Sequence, residues 1–414
     1  MVAAAGLAYV LLNHGELAPI DAEDNWWLYS GEAETARKLL SSLLSGMMTM
    51  TSLVISITFV ILTLAANQLG PRLIEIFMGD RQIQSVLGLF IGTILYQILI
   101  MRSLDQSLGE EGVPHLAVTA ASLLTVICLL ALLFYIHKIA RSIIADNVVE
   151  AVASELRTTL KSVMSSDGGA GDGRPPSGPP VGTIGVERQG YIQIIDYQKL
   201  TRIACEADLV LKVRVRAGHH ILREGHHVLV HGAGPPDEEV TGEVRKAFTV
   251  GALRTPAQDP EHGIRQLVEI GTRALSPGTN DPYTAKAVID RLSSTFEEIF
   301  SLGVQPDLLH DDDGVLRVVA DRADIGGLLN AAFHPLRQAG GDHPAILIHI
   351  ADAVSALACA VRTPDQRAAL RNQLGRLEET AGLGRMTDQD RADTMRRIDA
   401  AKKAVEEGPR QRNS

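Results

Sequence analysis

The chain has 414 residues, enough for two or three domains, and its 46% hydrophobic residues are concentrated before residue 140, with the charged ones after it. A net charge of −10 without a clustered Lys/Arg surface argues against nucleic acid as a partner. The three cysteines, Cys128, Cys205 and Cys359, lie far apart and form no C-x-x-C pair, so neither a disulfide framework nor a zinc site is indicated.

The first apolar run, Val2 to Leu12, has about half of the ~20 residues needed to cross a hydrocarbon layer, and reads as the end of a truncated first span. Three longer runs follow: Met47 to Ala66, Ile83 to Met101 and Leu116 to Ile136. None contains Asp, Glu, Lys or Arg, whose charge is costly at the bilayer centre, and each is expected to cross. The acidic stretch Glu16 to Glu34, with Trp26 and Trp27, is expected to face outward. Arg72, Arg81, Lys138 and Arg141 carry the positive charge of the inner side. That bias puts the soluble remainder on the cytoplasmic side of the membrane.

Within the second run Ser52, Ser56, Thr63 and Asn67 recur at helical spacing, so one stripe is hydroxyl and amide. Such a stripe serves as hydrogen-bonding glue between helices, or as the lining of a pore. Gly88 and Gly92 form a G-x-x-x-G that permits close helix contact.

An amphipathic helix continues to about Val163. Residues 164–185, too rich in Gly and Pro to pack, read as a flexible tether. From Tyr191 the period becomes two in YIQIID and DLVLKVRVRAGHHILREGHHVLVH, predicting a small antiparallel β-module over 186–235. An α+β domain over 236–362 follows. Its helices are expected near 238–248, 263–274, 325–338 and 344–361. Asp281 is placed to cap a further helix running from Pro282 to about Leu302. Two short strands should turn at Asp313-Gly314. A charged helical tail occupies 363–414. The predicted fold is therefore an α-helical transmembrane region, with three clear spans plus the truncated one, followed by an α+β soluble cytoplasmic domain.

Two clusters attract attention for chemistry. Five histidines fall between His219 and His231, and imidazole is a common metal ligand. Alternation puts His219 and His220 on opposite faces, and likewise His226 and His227, leaving His220, His226 and His231 as weak candidates and an exposed polar face as the plainer reading. The second cluster, Arg254 to Pro282, holds Asp259, Glu261, His262, Arg265, Gln266, Glu269, Arg273, Asn280 and Asp281 around two turns. It contains no nucleophile–base pair, phosphate-cradling loop or metal-ligand spacing. Salt bridges and caps explain it most simply; a ligand or subunit contact is the functional alternative.

The runs WWLYSGEAETARKLLSSLLSGMMTMTSLVISITFVILTLAANQLGPRL, GYIQIID and QDPEHGIRQLVEIGTRALSPGTNDPYTA resemble the bacterial membrane-protein family catalogued as domain of unknown function 2254, over nearly the whole chain. The resemblance implies a transmembrane region followed by a cytoplasmic domain, and supplies no activity. Gln258, Asp259, Gly263, Gln266, Leu275, Ser276, Pro277, Asn280, Asp281 and Pro282 match the family's most recognisable pattern. The short first segment and the histidine-rich strands depart from it.

The leading functional expectation is a homo-oligomeric channel or transport-like protein regulated by its cytoplasmic domain. The alternative is a membrane-anchored sensor or scaffold that binds a ligand or protein partner through Arg254 to Pro282. An enzyme ranks third, because no complete catalytic set is present. The expected partners are the lipid bilayer and further copies of the chain, with no cofactor indicated.

Overall fold

In hydrocarbon, a single segment satisfies its own backbone polar groups only as a helix, and the long apolar runs of the first third of the chain are helical. The computed structural model describes residues 2–14, 29, 32–69, 81–106, 114–142, 145–164 and 174–408. Trp26, Trp27, Arg72 and the first part of the tether lie outside the described residues, as do the side chains of Asn67 and Arg141. Two units are present, Met1–Asn147 and Val148–Ser414.

The first unit contains α1 (Val2–His14), α2 (Ala33–Leu69), α3 (Arg81–Gln106) and α4 (His115–Ser142). Ala33–Leu64, Arg81–Leu104 and His115–Lys138 are long and apolar enough to cross a membrane, and each expected span falls inside one of these three helices. Helix α2 begins well before the expected Met47, because Glu34 and Lys38 extend it as an exposed i,i+4 pair. Phe59, Val60, Leu130, Leu133 and Phe134 point outward, an apolar exterior suited to lipid. Of Gly88 and Gly92, only Gly92 faces another helix, with Ala4 of α1 the neighbour that a Cβ there would meet at 3.6 Å.

The interior of this unit is partly polar. Gln97 is fully buried and donates from Nε2 to Thr125 Oγ1 at 2.8 Å, while its Oε1 has no hydrogen-bond partner among the described residues. Thr93 Oγ1 meets Cys128 Sγ at 3.2 Å, and the hydroxyls of Thr58 and Tyr135 bond to each other. These are the interhelical contacts expected where water is absent.

The second unit takes in most of α5 (Ala145–Met164), which buries Val149, Val152, Leu156 and Leu160 along one stripe. Then follow β1 (Gly182–Ile184), β2 (Gly190–Ile195), α6 (Tyr197–Glu206), β3 (Val210–Val213), β4 (His220–Ile221), β5 (Val228–His231), α7 (Glu238–Arg245) and β6 (Phe248–Gly251). Next come α8 (Pro260–Ala274), α9 (Pro282–Leu302), β7 (Leu308–His310), β8 (Leu316–Val319), α10 (Ile325–Ala339), α11 (Pro344–Leu357), α12 (Pro364–Leu383) and α13 (Asp388–Glu407).

The strands form two sheets, in the orders β1-β5-β3-β8-β7 and β4-β2-β6. All pairings are antiparallel except β3 with β8, where Leu211 lies opposite Val318 in a parallel ladder. This corrects the expected β-module at both ends. The tether stops short of Gly185, since Gly182–Ile184 pairs with β5, and the 186–235 strands share sheets with β6 and β8 from the following segment. Ile192, Leu211, Val213, Val228, Val230, Phe248 and Val318 form their common core.

The helical part assembles α8 on α9 and α10, α10 on α12, and α11 on α9 and α13. Its buried centre includes Phe296 and Phe333, with ring centroids 5.8 Å apart. The helix from Pro282 to Leu302 and the turn at Asp313-Gly314 lie where the sequence predicts them. The tail is less peripheral than its charge suggests: α12 buries Leu370, Leu374 and Leu377, and α13 buries Ile398 and Val405.

Candidate functional site

Aspartate before a helix normally accepts hydrogen bonds from the first-turn N–H groups. Asp196, Asp237, Asp281 and Asp324 all do so here. Asp259 occupies the same position before α8, followed by Pro260, yet makes no cap bond. Its carboxylate, 2% exposed, is instead held by Arg254, with Nε at 2.7 Å and Nη2 at 2.5 Å. Burial lifts its pKa above the ordinary carboxylate value even with Arg254 beside it. A helix that forgoes its cap to place a buried ion pair departs from local preference, as functional and strained sites often do.

Around this pair the charges form a chain. Arg216 reaches Glu261 at 3.0 Å and Asp321 at 3.2 Å, and Glu261 also accepts from Arg265 at 2.9 Å. Burial by itself would raise Glu261, but hydrogen bonds from Arg216 and Arg265 leave it below the ordinary value. His219 stands 4.0 Å from Asp321, and burial, with Arg216 next, holds its pKa below that of free imidazole. Gly218 closes the cluster from the other side. Its φ of +87° suits glycine, and a Cβ there would overlap the Asp259 carboxylate and the Arg254 guanidinium.

Of these residues Arg216, Asp259, Glu261 and Asp321 border a cleft of about 1140 Å³ between the α6 end of β2, the start of α8 and the segments flanking β7 and β8. Tyr197, the first residue of α6, lies in its wall with Arg322 stacked 4.6 Å from the ring centre. Burial pushes the Tyr197 phenol up to about 12, so it remains a neutral hydroxyl near pH 7.

The residues of the family pattern divide between the two ends of α8. Gln258 and Asp259 line the cleft. Gly263, one turn on, lies against α5, where a Cβ would meet Leu156 at 2.8 Å. Gln266 contacts His262 at 3.4 Å. Ser276, Pro277, Asn280, Asp281 and Pro282 lie at the far end, ~22 Å along a helix of this length. There Ser276 O accepts from Thr279 N and Asn280 N, Asn280 adopts φ 46°, and Asp281 receives Tyr283 N, Thr284 N and the Thr284 hydroxyl. That end is a helix-to-helix corner, made by backbone turns and a cap.

The weak metal candidates are not brought together. His220 sits edge-on to Tyr191 at 5.1 Å, His226 contacts Thr183 at 3.1 Å, and His231 is buried on β5. Among the described residues no group of three or more His, Cys, Asp or Glu side chains could hold a metal ion. Ser52, Ser56 and Thr63 all lie on the exposed surface of α2.

Sequence reasoning passed over Tyr197, Arg216, Asp321 and Arg322. Arg216 reads as ordinary strand alternation in VRVRAG, and the others lack any local signal, since their meeting depends on β8 docking beside β3.

Uncharacterized proteins of Mycobacterium bovis and Mycobacterium tuberculosis are each 26% identical over 376 residues, spanning 88% of this chain and 72% of the relative. No solved structure matches the chain. The family model described as a predicted membrane protein, DUF2254, matches residues 1–356, and the chain belongs to that family.

Proposed function

We propose that the chain is a membrane-anchored ligand-binding protein, in which α2 to α4 fix the protein in the bacterial inner membrane and the second unit recognises a small polar ligand from the cytoplasm. The observation that carries this reading is the cleft of about 1140 Å³ bordered by Gln258, Asp259 and Glu261 at the start of α8. Polar and charged side chains, Arg216, Asp321 and Arg322 among them, make up most of its lining, which suits a polar occupant; concave sites of this size are the usual seats of small molecules. Arg81 and Lys138 support the orientation, as positive charge at the cytoplasmic ends of spans.

Hydrogen exchange on the full chain in lipid nanodiscs tests the reading, with and without the small-molecule fraction of a bacterial lysate. Slowed exchange at residues 194–202 and 257–261, abolished when Ala257→Trp fills the cleft, is the expected result. Exchange that is unchanged throughout the second unit would remove it.

A second reading, a homo-oligomeric channel, draws on the exposure of Ser52, Ser56 and Thr63, because hydroxyls facing out of one copy suit a lining shared between copies. Ion flux in liposomes, lost in Ser56→Leu and Thr63→Leu, is its test. Silent liposomes containing inserted protein would leave the anchored reading alone.

A further inference from the structure

We infer that the cleft seats an oxyanion, a phosphate or carboxylate group of its ligand, on the guanidinium of Arg322. The inference rests on the ligand-binding reading above and names the chemistry of that ligand.

Arg322 differs from the other arginines of the cluster in what surrounds its charge. Arg216 is committed to Glu261 and Asp321, and Arg254 to Asp259. Arg322 instead lies over the Tyr197 ring, and its Nε is buried with no hydrogen-bond partner among the described residues. No described carboxylate pairs with it; Asp321, its sequence neighbour, is already bonded to Arg216. Asp307 acts on it electrostatically without forming an ion pair, and burial raises the pKa of that carboxyl, reducing its tendency to ionise.

The acidic side chains along the cleft do not compete for this charge. Asp196 caps α6 through Lys199 N, and Asp311 accepts from Arg317 Nε at 2.7 Å and Val315 N at 2.8 Å. Asp312 and Asp313 are exposed on the turn between β7 and β8. A guanidinium stacked on an aromatic ring is held in one plane, and its fork matches the paired oxygens of a carboxylate or phosphate. Tyr197 thus orients Arg322, and both residues line the cleft.

The same oxyanion chemistry is offered by a dissolved metabolite and by a lipid headgroup, so the test separates them. Full-length protein in phosphatidylcholine nanodiscs is titrated with sodium phosphate, sodium succinate and spermidine, and exchange protection of the cleft segments is followed. Saturable protection by phosphate or succinate is expected. It should weaken about tenfold or more in Arg322→Gln, recover partly in Arg322→Lys, and persist in Arg214→Gln, an exposed arginine outside the cleft. Protection obtained only on adding phosphatidylglycerol to the nanodiscs, and lost in Arg322→Gln, supports the seat with a headgroup as its occupant. No saturable response to any anion, or binding unaffected by Arg322→Gln, overturns the assignment. Protection by spermidine alone also overturns it while leaving a ligand-binding cleft in place, whereas a cleft that no small molecule protects removes the underlying reading.

Discussion

The carboxamide of Gln258 satisfies both backbone polar groups of Ile195, its Oε1 accepting from Ile195 N at 2.9 Å and its Nε2 donating to Ile195 O at 3.2 Å. This side chain therefore acts as one further strand residue at the end of β2, and ties the start of α8 to the small sheet. Gln258→Ala leaves two main-chain groups without these partners and should cost about 1–3 kcal/mol. Gln258→Glu should do worse, since an ionised carboxylate cannot donate to Ile195 O. Hydrogen exchange at residues 190–196 measures the effect, and protection equal to wild type would refute it.

Arg254 is predicted to matter through the charge it balances. Arg254→Met abandons a buried Asp259 carboxylate and should destabilise the second unit by about 3–5 kcal/mol, while Arg254→Met with Asp259→Leu should regain most of that loss. Gly218→Ala should resemble the single mutant, because its Cβ displaces the same pair. A thermal-unfolding series decides the point: a double mutant no more stable than Arg254→Met would show that the pair is not the cause.

Acid should weaken the second unit before its carboxylates titrate. Burial, with His226 next, lowers the pKa of His227, and its Nδ1 accepts from Val186 N at 3.0 Å, a bond that protonation would break. The same direction holds for His219. Because the folded values lie below the unfolded 6.5, the unfolded chain binds more protons in that window. Stability is complete above the unfolded value and declines as pH falls through it toward the folded values. The unfolding temperature should drop between about pH 7.5 and about pH 5.5, less steeply in His227→Asn, which retains an acceptor near Nδ1 but does not titrate. Parallel slopes in the two proteins would exclude His227 as a source.

Inside the membrane unit the Gln97 Oε1 has no partner among the described residues, and interhelical hydrogen bonds in bilayers average only about 0.6 kcal/mol. Gln97→Leu should consequently be neutral or stabilising in detergent unfolding of the first unit. A clear loss of stability would mean that the amide is fully satisfied in the working protein.

The legible parts of the molecule were those set by neighbours in sequence. Uncharged apolar runs marked the three long helices, Asp281 before Pro282 marked the start of α9, and Asp313-Gly314 marked a turn. What escaped is non-local. The alternating pattern around β3 predicted strands without saying that β8 would pair with one of them. Tyr197 and Arg322 are brought together only by that pairing. Gln97 reads as a lone polar residue in an apolar run until α4 supplies Thr125. The Arg254 to Pro282 segment looked like one functional unit because its polar residues are dense, yet a straight helix between its halves separates a cleft wall from a helix corner.

The parallel pairing of β3 with β8 also bears on how the protein is made. Leu211 leaves the ribosome about a hundred residues before Val318, and until then β3 has β5 on one side and an open edge on the other. During that interval the outer edge of β3 keeps its backbone N–H and C=O groups unpaired. A chain ending before Leu316 should therefore be cleared by proteolysis, since it carries the membrane helices but not the strand that completes the sheet.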